Sequence, residues 1–130
     1  MRFDIAKMDR KGRVTIPSYI REGMGIEDGI ELIISLDGKI LKVIPIVAEK
    51  NAEIYVSMKD VPGMLSRIIN ALSKNSVDII FSQSHTPERG KIAFFSAIVD
   101  IVNVKDIKKL KKDLHNIRGV FTVKIAEKRK

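Results

Sequence analysis

The 130-residue chain contains no cysteine, which excludes disulfides, thiolate zinc sites and cysteine nucleophiles together. Its two histidines, His85 and His115, leave a histidine-built metal centre or acid/base pair poorly supplied. No cofactor or metal is therefore expected. A Ser/His/Asp set, a well-placed carboxylate pair and a phosphate loop of the Walker type are also lacking, so the chain does not read as an enzyme. No apolar run is long enough to span a bilayer, and a membrane is not an expected partner. The N-terminal Met-Arg-Phe-Asp-Ile has neither the apolar core nor the cleavage site of a signal peptide, which makes the cytoplasm the expected compartment. Glutamine occurs once while lysine is abundant, a lean toward a heat-adapted source.

What the chain has is positive charge. Lysine and arginine number 24 against 16 acids, a net charge of +8, and the sequence pI is about 9.8. Such a balance points to an acidic partner; net charge by itself does not separate DNA and RNA from an anionic surface. The two signs are segregated near the N-terminus. Residues 1 to 21 hold Arg2, Lys7, Arg10, Lys11, Arg13 and Arg21 against Asp4 and Asp9, whereas residues 22 to 38 hold five acids and no base. Within this region Met8-Asp9-Arg10-Lys11-Gly12-Arg13-Val14-Thr15-Ile16-Pro17 sets cations on a glycine turn that runs into a short strand ended by proline. That arrangement suits a phosphate backbone, whose neutralisation supplies the sequence-independent part of nucleic-acid affinity. A solvated hairpin tip would carry the same residue types.

Apolar alternation predicts strands at Phe3–Ile5, Val14–Ile16, Glu31–Leu36 and Lys39–Ile46. Asp37-Gly38 is the dipeptide of a two-residue type I′ hairpin turn. Pro17 opens one or two helical turns over Ser18–Glu22, with Gly23 or Gly25 as the stop. So few elements cannot bury much surface, and pairing with a second copy is the remedy. Pro45 to Asn51 reads as a junction. Beyond it, Ile54, Val56 and Met58 alternate in a strand that stops at Lys59–Gly63. Met64, Leu65, Ile68, Ile69 and Leu72 recur at helical spacing, with Pro62 in the first turn. Two strands follow, roughly Val77–His85 and Lys91–Val99. A second helix carries the stripe Val104, Ile107, Leu110, Leu114 and Ile117, and Phe121, Val123 and Ile125 form a last strand before the charged Glu127–Lys130. The order is βαββαβ, the split-βαβ, ferredoxin-like arrangement. The lysine run Lys105 to Lys112 reads as a solvated helix surface. His85 reads as a loop hydrogen-bonder, and His115 as a cation at a helix C-terminus.

The run from Lys7 through Pro17, with Ile20-Arg21, Met24-Gly25-Ile26 and Gly29-Ile30-Glu31, resembles the AbrB-like swapped-hairpin DNA-binding domain. The resemblance covers about residues 3 to 46, within an expected domain at 1–47. It implies that two chains interleave their hairpins into one small barrel. It also implies Lys7, Arg13 and Arg21 on the face toward double-stranded DNA, joined by Arg10 and Lys11 from the turn. Glu22 stands where some relatives carry a second basic residue.

The second half resembles an ACT domain through Asp60-Val61-Pro62-Gly63-Met64-Leu65 directly after a strand, with the βαββαβ order placing the domain at 52–127. ACT domains usually bind an amino acid or similar metabolite between paired copies. Gly63 would let a ligand approach the backbone, the amides of Met64 and Leu65 would receive a carboxylate, and Asp60 would hold an ammonium group. Val61 completes this candidate ligand set. Asp60 serving only as a helix cap is the plainer reading. Ser76 and Asp78 stand where the family commonly has glycine and asparagine. The implied fold class is α+β: a dimeric swapped-hairpin β-barrel followed by a ferredoxin-like domain. The two resemblances imply a prokaryotic, archaeal transcription regulator, a homo-oligomer of two or four chains with a small-molecule effector. A toxin-masking antitoxin and an enzyme's regulatory subunit are the alternatives.

Overall fold

The computed structural model describes residues 3–129; Arg2 and Lys130 lie outside the described residues. The backbone separates into two units, Met1–Val47 and Ala48–Lys130. In the first, Pro17 occupies the N-cap of helix α1 (Ser18–Met24), and Gly25 ends it in the left-handed conformation at φ 69°. The amides of Gly25 and Ile26 return to the carbonyls of Glu22 and Arg21, so the stop falls at Gly25 and not at Gly23.

Strands β1 (Leu32–Asp37) and β2 (Ile40–Pro45) pair antiparallel from Leu32↔Pro45 to Asp37↔Ile40. The hairpin loop is therefore Gly38-Lys39, one residue later than the expected Asp37-Gly38. Gly38 takes φ 61° and Lys39 has no positive φ, which excludes the type I′ turn. Asp37 stays in the strand, where Lys42 Nζ sits 3.0 Å from its carboxylate.

The strands expected at Phe3–Ile5 and Val14–Ile16 are not formed. A strand exists by pairing with an edge, and the β1–β2 hairpin is the unit's sheet; these two segments have no partner edge within the chain. Phe3, Ile5 and Val14 stay exposed, Phe3 at 79% and Ile5 at 94%, while Ile16 is half-buried. Ile34, Leu36, Ile40 and Leu41 of the hairpin are exposed as well. Among the described residues of this unit Ile46 alone is buried.

The second unit has what the first lacks. Strands β3 (Lys50–Lys59), β4 (Asp78–Glu88), β5 (Ile92–Asp100) and β6 (Val120–Arg129) form one antiparallel sheet in the order β4-β5-β3-β6. With helices α2 (Met64–Lys74) and α3 (Ile107–His115) this is the ferredoxin-like βαββαβ topology. Alternation along β3 turns Ala52, Ile54, Val56 and Met58 to one face. There they pack with Ile68 and Leu72 of α2, Leu110 and Leu114 of α3, and Phe95, Ala97 and Val99 of β5. Both helices thus cover one face of the sheet.

Several boundaries differ from expectation for local reasons. Helix α3 begins at Ile107, because the Asp106 carboxylate caps it by accepting the Lys109 amide at 3.1 Å; Val104 and Lys105 precede the helix. Pro62 lies ahead of the N-cap, which is Gly63. Strand β4 extends through Pro87 to Glu88, which an edge strand tolerates because one side needs no donor. Phe121 does not join Val123 and Ile125 inside: the register shifts between Ser57↔Thr122 and Met58↔Val120, so Phe121 bulges out and is 54% exposed. His85 is a strand residue of β4 whose ring stacks on Phe94, centroids 5.2 Å apart. Among the described residues no helix is long and apolar enough to cross a membrane.

Helix α2 ends in a Schellman-type turn. The Ser76 amide bonds the Ser73 carbonyl and the Val77 amide reaches back to the Leu72 carbonyl, while Ser76 itself sits at φ 60°. That position favours glycine, so Ser76→Gly is expected to stabilise the chain by about 0.5–1 kcal/mol in chemical denaturation. Leu110→Ala, at a fully buried side chain, is expected to cost about 2–5 kcal/mol. The first unit yields a third expectation. The chain should sediment at low micromolar concentration as a dimer or larger, and Ile5→Ser with Leu36→Ser should weaken that association while the ferredoxin-like unit keeps its unfolding midpoint. A compact particle of one chain's mass would contradict this.

Candidate nucleic-acid and ligand sites

The basic turn of the first unit is built by one carboxylate. Asp9 Oδ1 accepts the backbone amides of Lys11 and Arg13, each at 2.9 Å, and Asp9 Oδ2 accepts Arg13 Nε at 2.7 Å. The Asp9 amide bonds the Arg13 carbonyl, the Gly12 amide bonds the Asp9 carbonyl, and Gly12 supplies the left-handed φ of 78° that closes the turn. These bonds, led by the Arg13 amide and then the Arg13 guanidinium, hold the Asp9 carboxyl below its usual range. Arg10 and Lys11 project from the turn, exposed and without an ion pair among the described residues. Arg13 is also exposed, but its charge is shared with Asp9.

Lys7 lies on the exposed approach to the turn. Arg21 is engaged otherwise: its Nη1 donates to the Ile16 carbonyl, tying α1 to the segment after the turn. Arg21 and Ile16 border an open cleft of about 610 Å³ whose apolar lining is Ile16, Ile26, Ile30 and Leu32.

In the second unit, Asp60 does not cap α2, whose N-cap Gly63 has no side-chain cap. Its Oδ2 instead accepts the Gly90 amide at 2.7 Å, which pins the β4–β5 hairpin turn beside the loop that enters α2. Val61 is half-buried against the core. Gly63 stands at φ 87°, and a Cβ there would meet only Arg67 Nη2, at 3.9 Å; backbone conformation, not crowding, asks for glycine. Met64 is 2% exposed, its sulfur packs beneath Gly119, and its amide makes a long 3.4 Å bond to the Val61 carbonyl. The Met64 amide is thus a poor receptor for a carboxylate. Leu65 is exposed at the helix N-terminus.

Sequence reasoning missed Arg67. Four residues after Gly63, it lies one helical turn beyond the loop, and its guanidinium folds back to it, with Nη1 3.7 Å from Met64 Sδ. Arg67 also borders a groove of about 610 Å³ between α2 and α3, shared with Lys74 and Arg118. Asp113 in that groove is taken by Lys109 Nζ at 2.8 Å and Asn75 Nδ2 at 3.0 Å, and the Lys109 bond above all holds its carboxyl low. On the sheet's opposite face Tyr55, Ser57, Phe94, Ser96, Thr122 and Lys124 surround a hollow of about 360 Å³. There the Ser57 and Thr122 hydroxyls are 2.5 Å apart and the charge of Glu53 pushes the Tyr55 phenol up. The β-strand alternation could have located this hollow, since it puts polar residues opposite the core face. Among the described residues no group of acids or histidines is placed to hold a metal ion.

Asp9 has a folded pKa below the ordinary 3.8, so its hold on the turn is complete above that value and is lost as pH falls through the lower, folded one. The Lys11 and Arg13 amide resonances should therefore move together in acid below about pH 4, and this transition should vanish in Asp9→Asn. An unchanged transition in that variant would assign the titration to another group.

Comparison with known proteins supplies the family. The ACT domain model matches residues 52–119, and the model described as antidote-toxin recognition MazE, bacterial antitoxin, matches residues 5–51; both families are regulatory. Curated proteins give no match. The crystal structure of the ACT domain from GTP pyrophosphokinase of Chlorobium tepidum is similar at 24% identity over 58% of this chain and 95% of that one, TM-score 0.48. The solution structure of the C-terminal domain of the MgtC protein from Mycobacterium tuberculosis is similar at 13% identity over 64% and 92%, TM-score 0.46. With its matched segment spanning more than half of the 130 residues and a βαββαβ sheet-and-helix unit over the same region, the chain belongs to the ACT domain family.

Proposed function

We propose that the chain is a DNA-binding transcription regulator whose ACT unit senses a small metabolite, an amino acid. The observation that carries the reading is the Asp9-locked turn. One acid organises Arg10, Lys11 and Arg13 on a fixed backbone at the exposed tip of a unit, as preorganised phosphate contacts require. The exposed Phe3, Ile5 and Val14 and the exposed apolar residues of the β1–β2 hairpin favour a second copy as the element that completes the unit, giving two such turns per dimer.

For the effector, Asp60 offers Oδ1 to an ammonium group while Oδ2 holds Gly90, and the α2 N-terminus with Arg67 offers a receptor for a carboxylate. Ligand would act by favouring one arrangement of the assembly over another, a coupling typically worth about 1–3 kcal/mol.

A toxin-binding antitoxin is the second reading, favoured by the match over residues 5–51. Against it stands the second unit, a complete fold with its own core, where a toxin-masking tail that folds on binding would lack one.

Two measurements test the proposal. Arg13→Ala is expected to lower the slope of log affinity for duplex DNA against log salt by about 0.9 for the phosphate contact removed. Asp9→Ala, which loosens the turn and leaves the guanidinium, separates turn geometry from contact; equal slopes in Arg13→Ala and the native chain would remove Arg13 from the interface. For the effector, calorimetry with single amino acids should find binding that both Asp60→Ala and Arg67→Gln abolish. Binding that survives both places the pocket elsewhere.

A further inference from the structure

The excess charge of the chain is not where the basic turn is. Residues 1–47 hold 8 basic and 7 acidic side chains, whereas residues 48–130 hold 16 basic and 9 acidic, so the ferredoxin-like unit carries +7 of the +8. Within that unit the charge gathers on the helical layer. Helix α2 and the segment 105–118 that contains α3 contribute Arg67, Lys74, Lys105, Lys108, Lys109, Lys111, Lys112 and Arg118 against Asp106 and Asp113. Both acids are already engaged, Asp106 as the cap of α3 and Asp113 by Lys109 of α3 and Asn75 at the end of α2.

A merely solvated helix surface interleaves its signs, and α3 does not. Lys108, Lys111 and Lys112 are exposed and form no ion pair among the described residues. They stand at i, i+3 and i+4, the spacing at which like charges repel on a helix. Lys108 and Lys109 lie in the first turn of α3, which holds no acid, where the helix dipole disfavours cations. Core packing does not ask for this array, since the buried stripe is Leu110 and Leu114. Lys108 and Lys112 are one turn, about 6 Å, apart along the axis. Lys74, Arg67 and Arg118 add further cations along the groove between α2 and α3. A row of unmatched cations spread over more than one turn and one groove is too extended for a single small anion. It fits a polymer that presents phosphates in series, and binding such a polymer relieves the repulsion by replacing condensed counterions.

We infer that the helical face of the ACT unit, crested by Lys108, Lys111 and Lys112, is a second contact surface for the phosphate backbone of duplex DNA, separate from the Asp9-locked turn. This inference rests on the DNA-binding reading, and the test separates the two. Affinity of the full chain for a random-sequence duplex is measured by fluorescence anisotropy from low to moderate salt. The native chain is compared with Lys108→Gln/Lys111→Gln/Lys112→Gln and with Arg10→Gln/Lys11→Gln. Glutamine keeps the helix and removes like-charge repulsion, so an unfolding midpoint at or above that of the native chain verifies the fold of the first variant. Its salt slope should fall by about 0.9 for each lysine that faces a phosphate, up to about 2.7, and affinity should weaken whatever the duplex sequence. A native slope and affinity in that variant, with loss in the turn variant, overturns the helical surface and leaves the turn standing. Loss in the helical variant alone retains the surface and removes the turn. A native chain that binds no duplex at low salt overturns both.

Discussion

A unit of 47 residues in which Ile46 is the one buried side chain among those described cannot offset the conformational entropy of its own ordering. Everything else about the N-terminal half follows from that deficit. Phe3, Ile5 and Val14 are exposed while keeping strand alternation, the hairpin β1–β2 shows Ile34, Leu36, Ile40 and Leu41 to solvent, and an apolar cleft opens among Ile16, Ile26, Ile30 and Leu32. These are matching halves: segments that need an edge, and an edge and cleft that need covering. The second copy proposed above would supply both, and pairing would then be a condition of this unit's folding and not an addition to it.

The ferredoxin-like unit is under no such constraint. Its sheet and two helices enclose Ile54, Ile68, Leu72, Val99, Leu110 and Leu114 with almost no exposure, so its surface is free to carry charge. The same contrast governs the two proposed sites. In the first unit a single carboxylate fixes the cations, because no core holds the turn in place. In the second, helices fixed by the core can present Lys108, Lys111 and Lys112 without an ion pair among the described residues.

Where local pattern and packing agree, the sequence was readable. The alternation of Ile54, Val56 and Met58 and the stripe of Leu110 and Leu114 each reappear as core, and the βαββαβ order follows from them. The matched families bear out a regulatory chain with an ACT domain. What could not be read depended on partners distant in sequence. Phe3–Ile5 and Val14–Ile16 have the period of strands, but a strand also needs an edge. The alternative reading of Asp60 as a cap fails because its partner, Gly90, lies in a turn thirty residues away. Phe121 left the core through a bulge opposite Ser57 and Met58, which no pattern within β6 reveals. Ser76 is the reverse case: departure from glycine was visible in the chain, and its φ of 60° gives the reason glycine is favoured there. Arg67 escaped notice because its guanidinium bends back toward the preceding loop, and the α2–α3 groove because two helices distant in sequence form it.

The most direct measurement is backbone hydrogen exchange on the native assembly over a range of chain concentrations, read at the amides of Phe3–Ile5 and Val14–Ile16. Completion of the unit by a second copy predicts that these amides are protected at high concentration and lose protection together on dilution, while those of β3 and β5 stay protected throughout. Fast exchange at these amides at every concentration, in a chain whose first unit is otherwise folded, would contradict it.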